Sequence, residues 1–182
     1  MNPYVLLAKQ AIENYIKEGK IISLPDDLPK EFSRSELAEL LTRKAGTFIT
    51  IEKNRNLRGC IGTYLPTKEN IAKEIIYNAV AAATEDYRFG PVQKEELPYL
   101  SYTVYILSEP ELVKDIKELN PKKYGIIIKT VGYLPVKTGL LLPDLEGINT
   151  PEQQISIACQ KGGINPKEEK ILIYRFKTEK YG

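Results

Sequence analysis

Apolar residues recur at helical spacing from the start of the chain, with Leu6, Leu7, Ala11, Ile12, Tyr15 and Ile16 on one face. Asn2 supplies a side-chain cap with Pro3 at the first helical position, and Gly19 supplies the stop. Leu24 to Pro29 holds two prolines and two aspartates, which reads as an extended loop. Ser33 and Glu36 are then spaced as a capping box, opening a shorter helix that runs to about Lys44.

From Gly46 the period changes from 3.6 to 2. Gly46 to Glu52 alternates as a strand, Lys53 to Asn56 reads as a hairpin turn, and Leu57 to Tyr64 returns antiparallel to the first strand. Beyond Pro66, with Thr67 as the expected cap, Ile71 to Thr84 is rich in alanine and predicts a largely buried helix. Asp86 to Pro91 breaks it. Leu100 to Leu107 predicts a strand, Tyr124–Val131 with Tyr133–Leu142 a second hairpin, Pro151 to Gly162-Gly163 a late helix, and Ile171 to Thr178 a terminal strand. Hairpins mixed with helices give an α+β class, a mostly antiparallel sheet flanked by helices. Neither a repeat nor a low-complexity linker divides the chain, so residues 1–182 read as one domain with no internal boundary in the pattern.

Composition narrows the chemistry. At 182 residues with a 42% hydrophobic share, the chain can bury a core without disulfide staples, and two cysteines fit a reducing cytoplasm. The opening residues lack the basic stretch and apolar run of a signal peptide, and no apolar run approaches the roughly 20 residues that span a bilayer. A formal charge of +2 provides no strong field for nucleic acid or an anionic membrane. With no histidine at all, Ser-His-Asp and Cys-His pairs and every imidazole zinc site are excluded. Two cysteines cannot make a four-cysteine metal site within one chain, and the dinucleotide and phosphate-loop fingerprints are missing, so no cofactor is expected and no metal-ligating residues are singled out; a carboxylate site for magnesium or calcium stays open, although no acidic cluster has the EF-hand spacing.

The segment that holds most interest is Leu57-Arg58-Gly59-Cys60-Ile61-Gly62-Thr63. Strand alternation puts Leu57, Gly59, Ile61 and Thr63 on one side, with Leu57 and Ile61 toward the core, and Arg58, Cys60 and Gly62 on the other. Arg58 beside Cys60 favours a thiolate, and two glycines in a strand mark a bulge or a close approach of backbone or ligand. Arg58 and Cys60 are thus candidates for catalysis, and Arg58, Gly59 and Gly62 for binding, with Gly62 leaving an open spot beside the thiol. Two readings remain open: a functional site, or a small buried thiol with glycines making room for the neighbouring helix. Asp86 and Arg88 form a second candidate binding constellation, pairing with each other or orienting Arg58. Its structural counterpart is a helix-ending turn with Phe89 in the core and an exposed ion pair. Asp144 ends the Leu140-Leu141-Leu142-Pro143 run, and Cys159, among Ile155, Ile157 and Ala158, reads as a buried structural thiol.

The Leu57–Thr63 string resembles the signature of the AMMECR family. Asp86-Tyr87-Arg88-Phe89-Gly90-Pro91, Glu96-Leu97-Pro98, Gly139-Leu140-Leu141-Leu142-Pro143 and Cys159-Gln160-Lys161-Gly162-Gly163 resemble its later blocks in order, so the likeness spans nearly the whole chain. In two places the chain departs from the family pattern: Asp144 stands where glutamine is usual, and the usual tryptophan after Ile164 is missing. At this length the chain is similar to the prokaryotic AmmeMemoRadiSam branch. That resemblance implies an α+β fold with a larger and a smaller subdomain, and two partners, a Memo-type protein and a radical SAM protein. The expectation for function is an accessory or scaffold component acting through the Arg58 and Cys60 surface. The alternatives are an enzyme using Cys60 as a thiolate nucleophile, and a small-anion or nucleic-acid binder using Arg58, Arg88 and backbone N–H groups.

Overall fold

A computed structural model describes residues 2–24 and 32–182. The loop expected over Leu24 to Pro29 therefore lies, apart from Leu24, outside the described residues. The chain divides into two compact units, Met1–Leu107 with Glu179–Gly182, and Ser108–Thr178.

The first unit is built on a four-stranded sheet backed by helices. Helix α1 (Pro3–Glu18) begins where the Asn2 side chain accepts the Tyr4 N–H at 3.0 Å, and ends at Gly19 with φ 70°. Helix α2 (Arg34–Thr42) opens on the full Ser33–Glu36 capping box and stops two residues short of Lys44, where Arg43 turns extended. Strands β1 (Thr47–Lys53) and β2 (Asn56–Gly62) form the expected hairpin. Its two turn residues, Asn54 and Arg55, both have positive φ, the two-residue turn whose twist matches that of the paired strands. Helix α3 (Ile71–Thr84) packs across β1 and β2 and against α1, and β3 (Leu100–Leu107) pairs with the other side of β1. With the last strand, β8 (Thr178–Tyr181), the order is β2-β1-β3-β8. The core lies between α1, α3 and the inner sheet face, where Ile49, Ile51, Val104 and Ile106 meet Leu7, Ile12, Ile75 and Ala79.

The second unit has the sheet order β4-β7-β5-β6, from β4 (Glu111–Leu112), β5 (Gly125–Thr130), β6 (Thr138–Leu141) and β7 (Ile171–Phe176). Helix α4 (Pro151–Lys161) lies on β5 and β6. Its own core holds Ile126, Ile128, Leu141, Ala158 and Cys159. Cys159 is buried as expected, and desolvation pushes its thiol pKa up.

Three local expectations change. The cap of α3 is Asn70, whose side chain accepts the Lys73 N–H, while Thr67 gives its N–H and hydroxyl to Glu74. The single strand expected over Ile171 to Thr178 breaks at Lys177, and its two halves join different sheets. Leu57 does not face the core: it is 43% exposed. The cause is a bulge. Ile51 pairs with Gly59 but Glu52 pairs with Leu57, so Arg58 is an extra residue on β2 and the face alternation flips past it.

Candidate functional site

The bulge decides where Arg58 goes. Its Nε and Nη2 donate to the two carboxylate oxygens of Glu96 at 3.1 and 2.9 Å, and Nη1 and Nη2 donate to the carbonyls of Gly90 and Pro91. Glu96 sits in a 3-10 helix, Lys94–Tyr99, and also accepts from Lys53 Nζ and the Gln93 N–H. Arg58 above all, with these lesser donors, holds the Glu96 carboxyl down at about 2. The motif arginine is therefore a clamp that ties the hairpin to the segment after α3. Asp86 does not orient Arg58; Glu96 does.

Asp86 has a different duty. β2 is an edge strand, and the Cys60 N–H, which points away from β1, donates to Asp86 Oδ2 at 2.9 Å. The same carboxylate receives Arg88 through Nε at 2.9 Å and Nη2 at 2.6 Å, with the Arg88 backbone N–H alongside. Arg88, with help from the Cys60 N–H, brings Asp86 to about 2 against the opposing effect of burial. Asp86 and Arg88 thus pair with each other. The Asp86 side chain is only 4% exposed, so this is not a wholly solvent-borne pair, and Phe89 is half-buried beneath the Arg88 guanidinium rather than inserted in the core.

The two motif glycines answer to packing. A Cβ on Gly59 would lie 2.2 Å from the Ala82 carbonyl oxygen, so glycine lets α3 rest on the strand. A Cβ on Gly62 would strike the Thr47 carbonyl at 2.2 Å and Phe48 Cγ at 2.4 Å, and the expected open spot is filled by that ring. Cys60 is half-buried on the outer face, where Thr50 Oγ1 donates to its sulfur at 3.4 Å. Of the sequence candidates, the structure brings Cys60, Asp86 and Arg88 together and gives Arg58, Gly59 and Gly62 to the scaffold. Asp144 lies in the second unit in an exposed turn with φ 55°, near Lys122.

Two further carboxylates, outside the candidate site residues read from the sequence, prove structural. Glu96, present in the sequence only as part of the Glu96-Leu97-Pro98 block, caps its own 3-10 helix by accepting the Gln93 N–H. Glu74, 1% exposed, accepts from Thr63, from the Thr67 N–H and hydroxyl and from the Lys68 N–H, fastening the 63–70 loop to α3. Asn78, one turn later, donates to Thr47 and Thr63. Their signal was a polar residue on the apolar face of a helix otherwise made of isoleucine and alanine.

Such a chain is a two-unit α+β protein whose signature strand is held by two separate carboxylate–arginine clamps. The AMMECR1 family model matches residues 5–181, and the chain belongs to that family. A Thermotoga maritima protein is 49% identical over 181 residues, covering 99% of this chain and 97% of its own. A Clostridium acetobutylicum protein is 42% identical over 97% of this chain, which spans only 36% of that longer protein. The crystal structure of an uncharacterised protein from Pyrococcus horikoshii superposes with a TM-score of 0.83 at 31% identity, over 97% of this chain and 88% of the other. Among the described residues, no helix is long and apolar enough to cross a membrane.

Proposed function

We propose that this chain is a docking component of a protein-modification assembly of the AmmeMemoRadiSam type, presenting the outer face of β2 and the Asp86–Pro91 turn to a Memo-type protein and a radical SAM protein. One observation carries the reading: the charged groups of the signature serve internal clamps, while Tyr87 between them stands 96% exposed. Tyrosine and arginine are enriched where interfaces concentrate their energy, and a tyrosine this exposed is available to a partner. The test is capture of purified partners by the intact chain. A Cys60→Arg change, which places bulk on the outer face, is expected to abolish capture; unchanged capture would sink the reading.

The Cys60 enzyme alternative draws on a half-buried thiol whose own backbone N–H shares the Asp86 carboxylate with Arg88. It is weakened by its neighbour. Asp86 is held ionised by Arg88 and the Cys60 N–H, which makes it a poor proton acceptor for the thiol.

A further inference from the structure

We infer that the loop joining β5 to β6 in the second unit is a membrane-contact tip, which dips Tyr133, Leu134 and Val136 into an anionic lipid surface while the lysines around it meet the headgroups.

A hairpin ordinarily turns on polar residues, as the first hairpin does with Asn54 and Arg55. The β5–β6 loop instead reads Gly132-Tyr133-Leu134-Pro135-Val136. Leu134 stands 95% exposed, and Tyr133 and Val136 are exposed beside it. Consecutive apolar side chains held in water mark a contact surface. The loop is also braced from below. The Tyr133 hydroxyl donates to the Glu168 carbonyl at 3.2 Å, the Lys137 N–H to Thr130 Oγ1 at 3.0 Å, and the Val131 N–H to the Lys170 carbonyl at 2.9 Å. A fixed backbone thus presents the tip, and little order remains to be imposed on binding.

Charge selects the occupant. Lys129 pairs with Thr138 and Leu172, Lys137 Nζ lies 2.9 Å from Glu169, and Gly162 packs on Gly139, so the strands and turns around the loop meet at one end of the sheet. That end carries Lys129, Lys137, Lys161, Lys167 and Lys170 against Glu168 and Glu169, an excess of three positive charges. Counting the adjoining Lys114, Asp115, Lys117 and Glu118 as well leaves the excess unchanged. The +2 of the whole chain averages over this asymmetry. Anionic headgroups attract such a cluster, and a projecting leucine and valine gain by entering the acyl boundary, with tyrosine at the interface. A second copy of this chain fits less well, because it would bring two like-charged ends together. A nucleic acid would answer the lysines and leave the apolar tip in water.

Sedimentation of the intact chain with vesicles of equimolar phosphatidylserine and phosphatidylcholine at low salt tests the inference. Binding is expected there, fading as salt rises and absent with vesicles of phosphatidylcholine alone. Leu134→Glu, and separately Lys167→Gln combined with Lys170→Gln, should each weaken it at least about tenfold. The chain has no tryptophan, so Leu134→Trp supplies a single reporter at the tip. Its emission should shift to the blue on the mixed vesicles and be quenched by lipids brominated in the acyl chain. No binding to the mixed vesicles, undiminished binding by Leu134→Glu, or a reporter that stays in water would each overturn the proposal. A dimer in sedimentation equilibrium that Leu134→Glu dissolves would overturn it in favour of a second copy, and capture of a single-stranded oligonucleotide without vesicle binding in favour of nucleic acid. At 95% exposure Leu134 can be replaced without threat to the fold, so lost binding reports the tip itself. The docking reading rests on the first unit and survives either result.

Discussion

A methyl group at Gly59 would meet the Ala82 carbonyl backbone to backbone, and neither the strand nor α3 can yield without shifting the other. Gly59→Ala is expected to lower stability by about 3 kcal/mol, the upper end of ordinary overpacking. That corresponds to roughly 6–12 °C in thermal midpoint for a chain of this size. Gly90→Ala is the control, because a Cβ there meets nothing within 4 Å and its effect should stay within about 0.5 kcal/mol. The two cysteines separate in the same manner. Cys60 is half-buried whereas Cys159 is packed in the second core with its pKa raised by desolvation. Iodoacetamide followed by peptide mass spectrometry should label Cys60 in the native protein and Cys159 only after unfolding. Native labelling of Cys159 at the Cys60 rate would contradict this packing.

At the scale of elements, two carboxylates act as bolts between neighbours. Glu74 joins α3 to the loop that leaves β2 through four accepted hydrogen bonds. Glu74→Ala leaves buried donors unsatisfied and should cost on the order of 3 kcal/mol, with amide exchange across residues 63–70 accelerating before that of the sheet. Glu96 and Asp86 give the fold an acid limit. Arg58 first, then Gln93 and Lys53, depress Glu96 to about 2; Arg88, then the Cys60 N–H, depresses Asp86 to about 2. Since each carboxyl ionises more readily folded than unfolded, the stability they contribute is present above the ordinary carboxylate range and is lost as pH falls toward 2. Thermal midpoints should therefore decline between pH of about 5 and about 2. Glu96→Gln should start from a lower midpoint and decline less steeply, which a pH series of melting curves measures.

At the scale of the whole molecule, the first unit is discontinuous. The chain closes its sheet only when β8 returns beside β3, with Arg43 gripping Glu179 and Tyr4 packing on Tyr181 at 5.0 Å between ring centroids. Removing residues 178–182 should raise amide exchange in Leu100–Leu107 at least about tenfold while leaving β5 and β7 unchanged. Uniform acceleration of both sheets would show instead that the units share one cooperative fold. The same return of the chain explains what the pattern could and could not tell. Helix limits at Asn2 and Gly19, the Ser33–Glu36 box, both hairpins, the buried α3, the α+β class and the family blocks were legible, because each depends on near neighbours or on a period. The break at Lys177 was not, since Ile171–Thr178 reads as one run of strand-forming residues and only pairing partners far away in sequence divide it. Nor was the bulge at Arg58, which is set by register against β1. The sequence by itself determined that Arg58, Cys60, Asp86 and Arg88 are present in blocks of a known family. Only the tertiary structure decided their division of labour: Arg58 goes to Glu96, 38 residues away, and Asp86 closes on Cys60, because an edge strand leaves an N–H that a buried carboxylate must satisfy.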